Sequence, residues 1–197
     1  MKKLFISALF GLFMLDSYQT PLAQDNIDTK AARCDMRIDF GTGDNIGRWR
    51  AVNDGVMGGK SSGGPTISDS FMVFEGIINT NGGGFSSVRR PMELGLLSNS
   101  HGFRLKLRSD GRQYKMTFRS DAFYRGRNIS FQAPIPTTPA GEWAEVTLPF
   151  SGLKASLFGR PIYGAQFNKD QIREIGFILA DGQDGPFRID IRRVEAC

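Results

Sequence analysis

The stretch FRLKLRSDGRQYKMTFR, residues 103–119, decides the fold class because apolar and polar residues alternate on both sides of Asp110-Gly111. Alternation with a period of two is typical of a β-strand with one buried face. An Asp-Gly pair between two such runs is the strongest short-range signal for a two-residue hairpin turn. We therefore predict two strands that pair as an antiparallel hairpin. The predicted apolar pairs are Leu107 with Tyr114, Leu105 with Met116, and Phe103 with Phe118.

The polar face of this predicted hairpin is rich in cations. In the predicted register Lys106 lies opposite Lys115, and directly opposed like charges are mildly destabilising. The face therefore requires acidic neighbours or an acidic ligand, unless it is simply a solvated outer face with flexible lysines. The other cations of this face are Arg104, Arg108 and Arg119.

The same alternation recurs along the chain, in residues 36–40, 143–150 and 189–191, with breaks that contain glycine or proline between the runs. No long stretch carries a helical stripe of apolar residues, and the nearest candidate is a short turn around residues 169–172. Residues 151–166 are predicted to form a long irregular crossover, as is ordinary in jelly rolls. The sequence thus predicts an all-β sandwich of two antiparallel sheets with few or no helices.

The N-terminal residues 1–23 are predicted to be a signal peptide. Two lysines precede an apolar run over residues 4–15, which ends in a weak small-residue boundary near Ala23. That run is too short to span a membrane. Residues 24–33 are predicted to be a flexible leader, and residues 34–197 a single domain. We therefore expect a periplasmic or secreted protein whose mature chain has no transmembrane segment.

Charge and cysteine content limit the function classes. The net charge of +5 is mild and the basic residues are not clustered, which argues against binding to nucleic acid. The two cysteines, Cys34 and Cys197, are expected to form a disulfide in an oxidising compartment. The alternative, two free thiols in redox chemistry, lacks a C-x-x-C spacing.

Residues suited to catalysis are sparse. His101 is the only histidine, no G-x-S-x-G motif is present, and a zinc site needs three or four ligands. Glu142 and Glu145 are three apart on a predicted strand, so they point to opposite faces and cannot form a glycosidase pair. The oxygen-rich loop DGQDG, residues 181–185, fits a plain hairpin turn, with structural calcium as the alternative. We therefore predict a protein that is not an enzyme and has no other cofactor.

Two loops are rich in glycine and other turn-forming residues. Residues 53–59 contain Asn-Asp-Gly and Gly-Gly, which tolerate a positive φ and allow a sharp turn. The three glycines of residues 82–84 would let the backbone pass close to a bulky group, either another strand or a ligand. The pattern fits tight sandwich corners, with a ligand-cradling loop as the alternative.

Residues 49–63, WRAVNDGVMGGKSSG, resemble the signature of the complex I intermediate-associated protein family. The resemblance extends over essentially the whole predicted domain. It implies a galactose-binding-like jelly roll, the architecture of many carbohydrate-binding modules, with no reaction assigned to the domain. Further matching stretches are GGGFSSVR from Gly82, SDGRQY from Ser109, WAEVTLPF from Trp143, IGFILAD from Ile175 and GPFRIDI from Gly185.

The mitochondrial members of this family are associated with assembly of respiratory complex I, and act as chaperones rather than catalysts. A cleavable export signal would deliver this chain to a different compartment, so the resemblance transfers the fold but not the assembly role itself. The first function that we derive is accordingly more general. It is a protein-interaction or assembly factor of the cell envelope, with a sandwich face or an exposed edge strand that engages a protein client.

The second function is a carbohydrate-binding module for a glycan or an acidic polyhydroxylated ligand. Such a site combines an aromatic platform with charged groups that hydrogen-bond the ligand. A glycan binder should show a groove with exposed aromatic rings, whereas an assembly factor should show a flatter and more apolar patch. In the predicted hairpin Tyr114 points inward and Arg119 outward, so the candidates cannot all line one surface. The candidate binding residues are Trp49, Asp54, Arg89, Arg112, Tyr114 and Arg119.

Overall fold

A computed structural model describes residues 34–42, 48–68 and 70–197 of the 197-residue chain, with the side chain of Val56 left out. The predicted signal peptide and leader, residues 1–33, lie outside the described residues, and both stay predictions.

The described residues form thirteen β-strands and three 3-10 helices, and they contain no α-helix. The short helices are Asp54–Met57, Phe150–Gly152 and Lys169–Gln171, the last of which lies at the turn predicted around residues 169–172. The all-β prediction is therefore confirmed. The strands are β1 (Met36–Asp39), β2 (Arg50–Asn53), β3 (Ser62–Ile67), β4 (Met72–Ile78), β5 (Ser86–Pro91), β6 (Gly102–Ser109), β7 (Tyr114–Tyr124), β8 (Arg127–Pro134), β9 (Ala144–Pro149), β10 (Lys154–Leu157), β11 (Arg160–Pro161), β12 (Glu174–Leu179) and β13 (Gly185–Ala196).

The strands form two antiparallel sheets. The six-stranded sheet has the order β3-β4-β13-β6-β9, and β1 also pairs with β13. The seven-stranded sheet has the order β11-β10-β8-β7-β12-β5-β2. Apolar residues of both sheets meet in one core, because alternate side chains of each strand point to the same side. The predicted two-sheet sandwich is confirmed.

The predicted hairpin at Asp110-Gly111 is wrong in its pairing. Strand β6 lies in the six-stranded sheet between β13 and β9, whereas β7 lies in the seven-stranded sheet between β12 and β8. Both edges of each strand are thus occupied, and the Asp-Gly link crosses from one sheet to the other as an arch. The residues predicted to pair instead face each other across the core, as the rings of Phe103 and Phe118 do at 5.3 Å between centroids.

A second predicted hairpin, at residues 181–185, is wrong for the same reason. Strand β12 ends at Leu179 in the seven-stranded sheet, and β13 begins at Gly185 in the six-stranded sheet. This link is also an arch. The two arches, residues 110–113 and 180–184, connect the same two sheets.

The first and last described strands are joined covalently. Cys34 and Cys197 form a disulfide with an S–S distance of 2.09 Å, which confirms the predicted bond. Beside it, β1 pairs with the end of β13, with Met36 opposite Ala196. The disulfide therefore closes the domain at the place where its two ends meet.

Candidate functional site

The outer face of the seven-stranded sheet carries more cations than carboxylates, and we name it the arginine face. Strand register places Gly176 of β12 between Arg89 of β5 and Thr117 of β7. Glu174 lies two residues before Gly176 on the same side of the sheet, opposite Arg119. The residues of the arginine face are Arg50, Arg89, Lys115, Thr117, Arg119, Ser130, Gln132, Glu174 and Gly176.

At the centre of the arginine face a glycine lets an arginine side chain lie close against the sheet. A Cβ atom on Gly176 would lie 2.4 Å from the Val88 carbonyl oxygen and 3.1 Å from Cγ of Arg89, so only glycine fits there. The Arg89 side chain therefore passes close over this glycine. Its Nε donates a hydrogen bond of 3.2 Å to Ser87 Oγ, which holds the guanidinium against the sheet.

Positive charge exceeds negative charge at this centre. Arg89 is only 14% exposed, and its Nη1 lies 3.7 Å from Oε1 of the half-buried Glu174, which also forms an ion pair with Arg50. Burial lowers the pKa of Arg89, and the neighbouring charges of Arg119 and Arg50 lower it further, against the opposing effect of Glu174. The guanidinium groups of Arg50 and Arg89 thus share one carboxylate, and Arg119 lies opposite that carboxylate's residue in the strand register. The face is therefore suited to an acidic group of a partner.

Arg89 and Arg119 are the two predicted binding residues that the structure brings together. Arg89 lies on β5 and Arg119 on β7, the two strands that flank β12, and burial together with the positive charge of the exposed Arg119 lowers the pKa of Arg89. The other four predicted residues have places elsewhere, so the predicted six-residue site does not form.

Trp49 lies in the core and is not an exposed platform. Its indole is 9% exposed, stacks on Phe177 at 5.7 Å between centroids and contacts Phe40 at 6.2 Å. The prediction of a sugar-stacking ring at this position is corrected, because the ring packs between the sheets just before β2.

Asp54 is fully buried and holds the two glycine-rich loops together. Its carboxylate accepts hydrogen bonds from Ser61 N and Oγ, at 2.9 and 2.6 Å, and from the backbone N–H of Gly84 and Phe85, at 2.6 and 3.2 Å. The group that the glycines accommodate is this carboxylate, since a Cβ on Gly59 or Gly83 would lie 2.3 Å from it. The loops form a sandwich corner, and Asp54 has no surface for a ligand.

Arg112 connects the two arches. Its Nε and Nη2 donate to both carboxylate oxygens of Asp181, at 2.9 and 2.7 Å, and its Nη1 donates to the carbonyls of Gly185 and Pro186. The hydrogen bonds with Asp181 raise the pKa of Arg112. The donors of Arg112 are therefore used within the fold, and the carboxylate of Asp181 is occupied by a cation rather than open to the calcium considered for this loop.

Tyr114 is buried beside this connection. Its hydroxyl donates to Asp110 at 3.1 Å, and burial together with that carboxylate raises its pKa. The inward orientation predicted from the alternation is confirmed, and Tyr114 is therefore a core residue rather than a ligand contact.

Sequence reasoning missed Glu174, Gly176 and Arg50 as members of the face. The only local signal was a glycine within the apolar run EIGFIL, which indicates a close approach of another group. Tyr163 was missed as well. It follows β11, is 89% exposed, and adjoins Ile162, whose N–H donates to the Ala155 carbonyl at the edge of the seven-stranded sheet.

The residues of the described chain considered for catalysis or metal binding lie outside the arginine face. His101 is exposed just before β6 of the other sheet. The cluster of potential metal ligands found in the described residues consists of Cys34, Cys197 and Glu195. Its two sulfur atoms form the disulfide and supply no thiolate. In the part of the chain that the structure describes, no helix is long and apolar enough to cross a membrane.

The family described as complex I intermediate-associated protein 30 matches over residues 38–191. A curated relative, the mitochondrial complex I intermediate-associated protein 30 of Mus musculus, is 36% identical over 90 residues. This match covers 44% of the chain and 27% of the mouse protein, so the chain matches about a quarter of that relative's length.

Two similar solved structures are family 11 carbohydrate-binding modules of Clostridium thermocellum. The module of the cellulosomal cellulase Lic26A-Cel5E has a TM-score of 0.61 and 16% identity, with coverage of 82% of this chain and 94% of the module. The module in complex with a β-1,3-1,4-mixed-linked tetrasaccharide has a TM-score of 0.59 and 17% identity, with coverage of 78% and 91%. This likeness confirms the predicted jelly-roll fold.

Proposed function

The chain belongs to the complex I intermediate-associated protein 30 family, and we propose that it is a non-catalytic binding domain that serves as a protein-interaction or assembly factor of the cell envelope. The arginine face is the binding surface in this proposal. A partner protein presents an acidic group to Arg89 and Arg119.

The observation that carries this proposal is the excess of guanidinium over carboxylate at the centre of the face. Arg50 and Arg89 share Glu174, and the neighbouring Arg119 adds a third positive charge that acts on Arg89. Glu174 Oε1 is buried without accepting a hydrogen bond from any described residue. Arginine is enriched in protein interfaces because its planar group binds carboxylates with two hydrogen bonds. The outward residues beside Gly176 are Arg89, Thr117 and Glu174, none of which is aromatic, and the exposed Phe123 of β7 lies beyond Arg119 towards the end of that strand, so a sugar-stacking platform has no support at this centre.

Export to the envelope is supported by two features. The N-terminal sequence has the lysines and the apolar run of a signal peptide. The Cys34–Cys197 disulfide fits an oxidising compartment such as the periplasm, since intracellular thiols are usually kept reduced.

The proposal is tested with the domain as bait in a crosslinking pull-down from cell-envelope extract. Arg119→Glu reverses the charge of an exposed residue on the arginine face, and the matched control Lys60→Glu makes the same change on an exposed loop. We expect one stoichiometric partner with the wild type and with Lys60→Glu, and its loss with Arg119→Glu. Equal recovery by both variants would remove the arginine face from the proposal.

A second candidate function, carbohydrate binding, is favoured by the exposed Tyr163 at the margin of the same sheet. An aromatic ring of this exposure can stack on a sugar, while Arg119 or Gln132 hydrogen-bonds its hydroxyls or an acidic substituent. A glycan array distinguishes the two functions. Selective glycan binding that Tyr163→Ala abolishes, with no protein partner recovered, would identify the domain as a carbohydrate-binding module.

A further inference from the structure

The turn between β7 and β8 is a two-residue hairpin tip. Tyr124 pairs with Arg127, and the residues between them are Arg125 and Gly126. Both have a positive φ, 50° for Arg125 and 75° for Gly126, as a type I′ turn requires.

The turn between β10 and β11 has the same form. Leu157 pairs with Arg160, and Phe158 and Gly159 between them have φ values of 50° and 78°. Strand β8 pairs antiparallel with both β7 and β10, so the two tips lie at the same end of the seven-stranded sheet.

The residue types at the two tips contradict the preference of the turn. The first central position of a type I′ turn favours asparagine, aspartate or glycine, because other side chains clash with the backbone at positive φ. Arg125 and Phe158 are the only non-glycine residues with positive φ in the described part of the chain. Because both neighbouring tips carry a bulky residue at a position that disfavours it, these side chains indicate a binding function at the protein surface.

That surface joins aromatic rings to guanidinium groups. Phe123 and Phe158 are 63% and 64% exposed. The guanidinium carbon of Arg127 lies 5.5 Å from the centroid of Phe158, which connects the two tips, and that of Arg125 lies 5.4 Å from the ring of Tyr124. We name this the tip surface, and its residues are Phe123, Tyr124, Arg125, Arg127, Phe158 and Arg160.

The tip surface is strongly cationic. No ion pair connects its arginines to a carboxylate within residues 34–42, 48–68 and 70–197. Three of its six residues are arginines, and Asp121 is the only acidic residue in residues 119–134 and 154–163. The complementary partner is therefore negatively charged and accommodates aromatic rings.

We infer that the tip surface binds peripherally to an anionic lipid membrane. Aromatic rings are favourable at the boundary between lipid headgroups and acyl chains, and arginines next to them attract anionic headgroups. Hairpin tips can insert their rings into such a boundary directly. Binding to a membrane therefore requires no cleft in the protein, and the exposed rings here lie at turns and not in a cleft. This inference concerns a different surface from the arginine face and does not depend on the proposed function.

The test is flotation of the protein with vesicles of phosphatidylcholine, with and without phosphatidylglycerol. We expect binding to the mixed vesicles, weaker binding to pure phosphatidylcholine, and weakening by salt because the attraction is partly electrostatic. The double variant Arg125→Asn/Phe158→Asn removes one charge and one ring from the tips. Its vesicle affinity should fall about tenfold or more.

The double variant introduces the residue that each turn prefers, so its thermal unfolding midpoint should equal or exceed that of the wild type. A loss of vesicle binding then cannot reflect unfolding. Met57→Asn is the matched control, since it removes an exposed apolar side chain outside the two turns, and its vesicle binding should be unchanged. Equal vesicle binding by the wild type and the double variant would overturn the inference. So would selective binding of an acidic polysaccharide or acidic protein without binding to mixed vesicles.

Discussion

At the scale of a single residue, Asp54 shows how a buried carboxylate shapes a corner of the sandwich. Burial alone would raise the pKa of Asp54, but the hydrogen bonds from Ser61, Gly84 and Phe85 favour its charged form and lower the pKa. Both glycine-rich loops are fixed to this group, so the folded state depends on the ionised Asp54.

Replacing Asp54 by asparagine should lower the free energy of unfolding by about 2 to 4 kcal/mol, because the amide leaves at least one buried backbone N–H without an acceptor. Urea unfolding measures the loss. Asp121→Asn is the control, because it removes the same charge from an exposed residue and should stay within about 0.5 kcal/mol of the wild type. Equal losses in the two variants would contradict the structural role of Asp54.

The contribution of Asp54 should also depend on pH. Because its pKa is lowered in the folded state, the contribution is fully present above the unfolded-state pKa of about 4 and is lost as the pH falls through the folded-state value. The stability difference between the wild type and Asp54→Asn should therefore shrink below about pH 4. Urea unfolding at a series of pH values tests this, and a constant difference down to acidic pH would argue against it.

At the scale of strands, the alternation predicted the elements but not their pairing. Alternation is a local property of the chain and does not determine which strands pair. A short link between two alternating runs can form either a hairpin within one sheet or an arch between two sheets. Contacts from a distant strand decide between them here. The N–H of Asp110 donates to the Arg188 carbonyl, and the Asp110 carboxylate accepts from the Arg188 N–H.

The same limit applies to the candidate site. Arg89 and Arg119 are predicted as binding residues because they are charged groups able to hydrogen-bond a ligand. The structure places them on one face, and their binding role stays a prediction. Glu174 and Gly176 could not be placed beside them, because that proximity exists only through the pairing of β12 with β5 and β7.

The connection between the two arches depends on Arg112. Arg112→Ala should lower stability by about 3 kcal/mol, since it leaves the buried carboxylate of Asp181 without its cation. Thermal or urea unfolding measures this, with the exposed Arg173→Ala as the matched control. A change within about 0.5 kcal/mol would instead free Arg112 for the ligand-binding role predicted from the sequence.

Trp143 lies just before the edge strand β9 and is 39% exposed, packed against Phe71 and the guanidinium of Arg108. Trp143→Ala should therefore cost about 1 to 2 kcal/mol, below the 3 to 5 kcal/mol typical of a buried aromatic ring. Phe118→Ala in the core provides that reference in the same unfolding experiment. If both variants lost equal stability, Trp143 would have to be a core residue.

At the scale of the whole molecule, the disulfide closes nearly the entire domain, because its cysteines are 163 positions apart. The chain-entropy model gives up to about 5 kcal/mol for a loop of this length. The double variant Cys34→Ser/Cys197→Ser should lose about 3 to 5 kcal/mol in urea unfolding, and the reduced wild type should behave in the same way. Unchanged stability in both would mean that β1 is held by its pairing with β13 alone.

The central claim is that the arginine face is the surface at which this domain binds its partner. Site-specific photocrosslinking in cell-envelope extract tests it most directly, with the photoreactive residue at Gln132 on that face or at Thr147 on the outer face of the other sheet. We expect one discrete protein adduct from position 132 and none from position 147. Equal adducts from both positions, or none from position 132 when a partner is recovered by other means, would contradict it.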